Sequence, residues 1–143
     1  MSRLLLLAAL LVAAAGCGQP DPKPFPPDTV AAAELFAKLP PAYRQAYQAK
    51  KMPPTADDLK PYLQRHGDSI ASLVSPRDGK PIVLVPFVPD DKIGPGEEAI
   101  LAYEAEGVNG ERMLVDSRGT IRIANPEEFA AIKFAGGHKP AGR

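Results

Sequence analysis

Asp90, Asp91, Glu97 and Glu98 crowd one short stretch of the chain. Carboxylate oxygens gathered in one loop are what a Ca²⁺ ion needs, so these four are the candidate calcium ligands. Their spacing follows no EF-hand, and acidic loops are commonly just solvated. The reading therefore assigns no metal and keeps the four as candidates. His66 and His138 stand too far apart to share one helix face, and no cysteine joins them in a zinc set. His66, beside Gly67, reads better as a charge at a helix C-terminus. Hydrolysis would need a nucleophile next to a base. Ser69, Ser72, Ser75 and Ser117 are the serines available for that role, and none stands in a Gly-x-Ser-x-Gly elbow. Gly94-Pro95-Gly96 offers too few backbone donors to cradle a phosphate. The expectation is a protein without catalytic residues or a cofactor.

Cys17, the single cysteine, has the most distinctive setting. It follows Arg3, the apolar run Leu4–Ala15 and the small residues Ala14-Ala15-Gly16. Twelve helical residues reach about 18 Å, short of a hydrocarbon core of about 30 Å. The run instead fits the h-region of a secretory signal. The stretch resembles a bacterial lipobox, with Ala14 where leucine is usual. That resemblance implies cleavage after Gly16, diacylglycerol on the Cys17 thiol and an acylated (palmitate-type) amine. It also implies the outer rather than the inner membrane, because Gly18 replaces the aspartate that retains some lipoproteins. The alternative is ordinary secretion after Ala13-Ala14-Ala15, leaving a lone thiol that nothing in the chain can pair.

Basic and acidic residues number 17 each, so loss of Arg3 with the signal leaves a chain close to neutral. No basic excess drives nucleic-acid binding. Proline is abundant, at 17 of 143 residues. Residues 17–27 join the lipidated cysteine to a proline-rich tether that favours extended polyproline II, and residues 28–135 form one domain.

Within that domain Asp28 reads as the N-cap of a helix from Thr29 to about Leu39, broken by Pro40-Pro41. A second helix runs from Pro41 to Lys51. Thr55 caps a third, which closes at Gly67 and in which Pro61 is an awkward guest. Asp68 caps a short turn from Ser69 to Val74. Asp78-Gly79 then turns the chain into strands over Ile82–Val88, Ala99–Glu106, Glu111–Asp116 and Thr120–Ala124. Pro86 marks the first as an edge or a bulge. Leu101 and Tyr103 are expected on one sheet face, with Ile100, Ala102 and Glu104 on the other. Asn109-Gly110 predicts a type I′ hairpin. Asn125-Pro126-Glu127-Glu128 opens a last helix, and residues 136–143 read as a disordered tail. The fold class is α+β: a helical N-terminal half, an antiparallel meander of three or four strands, and a short C-terminal helix.

Asp57-Asp58-Leu59-Lys60-Pro61-Tyr62-Leu63, Ser75-Pro76-Arg77-Asp78-Gly79-Lys80-Pro81, Leu101-Ala102-Tyr103-Glu104 and Val115-Asp116-Ser117-Arg118-Gly119-Thr120-Ile121-Arg122 together resemble small uncharacterised lipoproteins of planctomycete bacteria. The last segment is also similar to the terminal strand of their pseudopilin-like proteins. The resemblance implies a pseudopilin-like C-terminal sheet and carries no catalytic residues. The functional expectation is a lipid-anchored extracytoplasmic module of the cell envelope that binds a protein or envelope partner. An accessory of a pilus or type II secretion-like apparatus is the alternative, and a small hydrolase is a second one.

Overall fold

A computed structural model describes residues 25–50, 55–64 and 73–140. The expected signal segment and tether before Phe25, Cys17, His66 and the expected Gly67 helix end, Ser69, Ser72 and the expected Asp68 cap lie outside the described residues.

One helix, α1 (Pro27–Lys50), replaces the two expected. Pro40 and Pro41 lie inside it and deprive the carbonyls one turn earlier of donors, at a cost of several kcal/mol. Burial decides the outcome. Phe36 and Leu39 before the prolines, and Ala42, Tyr43 and Ala46 after them, share the buried face of the helix. At roughly 1.5–3 kcal/mol per large apolar side chain, one continuous seam offsets the broken ladder. The helix starts two residues earlier than expected for a cap at Asp28. Thr29 and Val30 donate their N–H groups to the Pro26 carbonyl at 2.9 and 3.2 Å. Pro27 thus takes the first helical position and Asp28 the first turn, where its charge meets the helix dipole.

The second helix, α2 (Ala56–Gln64), keeps Pro61 in its interior rather than in its first turn. Thr55 caps it reciprocally. The Asp58 N–H donates to Thr55 Oγ1 at 3.4 Å, and the Thr55 N–H donates to Asp58 Oδ2 at 3.0 Å. Asp58 also pairs with Lys50, tying the end of α1 to the start of α2. The Lys50 ammonium beside it holds the Asp58 carboxyl down to about 2.

Four strands follow: β1 (Ile82–Leu84), β2 (Ile100–Glu104), β3 (Arg112–Asp116) and β4 (Ile121–Ala124). They form one antiparallel meander in chain order, with β1 and β4 at its edges. The first strand is shorter than expected because Pro86, which has no donor, follows so closely. The β2–β3 turn is the anticipated hairpin, with Asn109 at φ 55° and Gly110 at φ 81°.

Side-chain alternation along β2 departs from expectation. Ile100 pairs with Asp116 and Ala102 with Val115, so Leu101 is an extra residue, a β-bulge. The bulge puts Leu101 on the same face as Ala102 and Glu104, and leaves Ile100 with Tyr103 on the other.

Both faces are covered. On one, Phe36, Leu39 and Tyr43 of α1 with Leu59 and Leu63 of α2 pack on Leu101, Ala102, Met113 and Val115. On the other, Tyr103, Ile100 and Leu114 meet Phe129 of α3 (Pro126–Ala131), then Ile132 and Phe134. Asn125 and Glu128 close a capping box at the start of α3. Residues 136–140, expected as a disordered tail, fold back onto this second cluster. A 3₁₀ turn spans Ala135–Gly137, and the His138 ring stacks 5.3 Å from Phe134 and 5.9 Å from Tyr103. Among the described residues no helix is long and apolar enough to cross a membrane.

Candidate functional site

The densest polar cluster is internal. The Glu104 side chain is fully buried and that of Arg77 is only 6% exposed, with the Arg77 Nη1 2.6 Å from Glu104 Oε2. The other carboxylate oxygen accepts the Ser75 hydroxyl at 2.5 Å, and Oε2 also accepts the Met113 N–H at 2.8 Å. The turn before β1 makes this possible. Ser75 donates its N–H to the Lys80 carbonyl, and Gly79 adopts φ 67°, so the turn swings Arg77 back over β2. Asp78 fastens the turn to the hairpin by accepting the N–H groups of Glu106 and Gly107 at 3.3 and 2.8 Å. Every oxygen of the Glu104 carboxylate has a donor, and no solvent reaches it. Ser75, a serine candidate for hydrolysis, is thereby a structural donor.

Tyr43 forms a second internal anchor. Its hydroxyl oxygen lies 3.0 Å from the carbonyl oxygens of Val85, just past β1, and of the bulge residue Leu101 in β2, so one proton is shared between the two neighbouring strands. Burial pushes its pKa well above the ordinary tyrosine value.

The four calcium candidates do not converge. Asp90 and Asp91 are exposed on a 3₁₀ turn, Asp90–Lys92. Glu97 turns back to accept the Gly94 N–H at 2.9 Å, and Glu98 pairs with Arg122 of β4. Among the described residues no group of three or more His, Cys, Asp or Glu side chains is placed to hold a metal ion. Asp90, Glu97 and Glu98 instead line an open polar cleft of about 440 Å³ with Asp116, Ser117 and Arg118. Asp116 accepts the N–H groups of Arg118 and Thr120, so the far wall of the cleft is a tight turn. Ser117 stands in that turn, its N–H held by the Ala99 carbonyl, and no imidazole is among the lining residues. His138 lies on the second core face, with Nε2 3.1 Å from the Tyr103 hydroxyl, and burial lowers its pKa.

An apolar groove of about 510 Å³ runs between the first turns of α1 and strands β3 and β4, lined by Phe25, Val30, Ala33, Met113, Ile121 and Ile123 with Thr29 and Arg122. A second hollow, toward the β2–β3 hairpin, shares Phe25, Thr29 and Ile123 and adds Val108 together with the charged residues Asp28, Arg77 and Glu111. Phe25 is 71% exposed and Val30 46%. Val108 and Ile123 complete the set of exposed large apolar side chains among the described residues. All four gather on this side of the domain.

Sequence reasoning missed both the Glu104–Arg77 pair and this groove. A glutamate inside the apolar segment Ile100–Glu104 was the available signal for the first. The second joins residues about 90 positions apart and leaves no local trace. Comparison of the chain with protein-family models, curated proteins and solved structures gives no match.

Proposed function

We propose that the protein is a membrane-anchored lipoprotein of the cell envelope, whose small α+β domain binds a protein or envelope partner without catalysing a reaction. The observation that carries the reading is Cys17, alone in the chain and placed directly behind Leu4–Ala15 and Ala14-Ala15-Gly16. The domain's own chemistry agrees with a binding role. Its Arg77–Glu104 pair is enclosed, Glu97 and Glu98 are engaged separately, and its open surfaces include a polar cleft and an apolar groove. The likeness to small planctomycete lipoproteins and the outer-membrane location belong to the same proposal.

Metabolic labelling with a palmitate analogue tests the anchor. The wild-type chain incorporates label and Cys17→Ser does not; equal incorporation by both would overturn it. Crosslinking in cells, followed by identification of the captured proteins, tests the binding role. Recovery of secretion-apparatus components would move the assignment to the pilus or type II secretion alternative.

A further inference from the structure

We infer that the apolar side formed by Phe25, Val30, Val108 and Ile123 is the domain's membrane-contact face, resting on the lipid surface to which Cys17 is anchored. The inference rests on the proposed lipid anchor and adds an orientation to it. Exposed apolar side chains scattered singly need no explanation, but a contiguous group marks a contact surface. Here the group coincides with the point where the described chain begins. Phe25 itself lines the groove, and Cys17 lies eight residues before it. Eight residues span at most about 28 Å when fully extended, and about 25 Å as polyproline II. The anchor therefore holds Phe25 within that distance of the bilayer, which puts this side of the domain within its reach.

Tethering also changes the affinity required. An intramolecular contact works against an effective concentration in the millimolar range for a short linker, so a face too small to bind vesicles unaided is still occupied once anchored. Burial of aromatic and branched aliphatic side chains among headgroups and upper acyl chains is the interaction such a face supplies. Phe25 just ahead of α1, Val30 in its first turn and Ile123 on edge strand β4 are placed to enter together. The polar cleft, at the Asp116 end of β3, is then turned away from the bilayer.

The chain contains no tryptophan, so single replacements act as silent depth probes. Full-length protein is produced in a lipoprotein-processing bacterium as Val30→Trp, Ile123→Trp or Lys92→Trp. Each is reconstituted into phosphatidylethanolamine–phosphatidylglycerol vesicles with brominated acyl chains, after its melting curve is shown to match wild type. Lys92 is exposed on the 3₁₀ turn beside the cleft. Quenching several-fold stronger at Val30→Trp and Ile123→Trp than at Lys92→Trp is expected. Equal or absent quenching in protein that carries the palmitate label and floats with the vesicles would overturn the face while leaving the anchor intact. Protein that neither takes label nor floats removes both readings together.

Discussion

Removing the Glu104 carboxylate would leave the Arg77 guanidinium buried without its counter-charge and the Met113 N–H and Ser75 hydroxyl without an acceptor. Breaking a buried pair from one side costs about 3–5 kcal/mol, so Glu104→Ala should lower the urea-unfolding free energy by that amount. Replacing both partners with methionine removes the orphan charge and leaves only unsatisfied neutral groups. The double variant should recover to within about 1–3 kcal/mol of wild type. His138 gives the domain a pH response of a different kind. Burial against Tyr103 and Phe134 depresses its pKa below the ordinary 6.5, so the folded state prefers the neutral ring. The unfolded chain takes up a proton first as pH falls. The stabilisation is therefore complete above pH 6.5 and declines as pH drops below it. Thermal melting of wild type between about pH 5 and 8 should show that decline, and His138→Phe should flatten it.

At the scale of elements, α1 shows where local rules and tertiary packing disagree. Pro41 is exposed, so Pro41→Ala restores a backbone donor without disturbing the core. Net stabilisation of about 2 kcal/mol is expected, after a small loss from the freer unfolded chain, and calorimetry should show a raised Tm. The double proline read from sequence as a break because propensity is local and the seam of Phe36, Leu39 and Tyr43 is not. The elements with their own chemistry were legible: the Asn109-Gly110 hairpin, the Asn125–Glu128 capping box and the Thr55 cap. The meander order also followed from turn spacing. The bulge at Leu101 was not legible, because a single extra residue is specified by pairing with β3 and by the Tyr43 hydroxyl donating to the Leu101 carbonyl. Nor was the calcium question, since crowding along the chain says nothing of Glu97 turning to Gly94 or Glu98 reaching Arg122.

At the scale of the whole molecule, the described residues form a sheet enclosed twice, by α1 and α2 on one face and by residues 126–138 on the other. A chain ending at Asn125 would uncover Ile100, Tyr103 and Leu114 while keeping the first cluster. It should bind an apolar dye and melt without a sharp transition, in contrast to the full chain. The backbone tie that fastens this second cover has a further meaning. Glu98 exchanges hydrogen bonds with Lys133 and Ala135, at 2.7 and 3.0 Å, so the loop before β2 is closed by residues synthesised some 35 positions later. A nascent chain emerges N-terminus first, and this domain has no complete interior until that late segment is free. Closure of the second face therefore waits for residues 126–138. For a chain exported as proposed above, that order of closure would keep it unfolded during translocation.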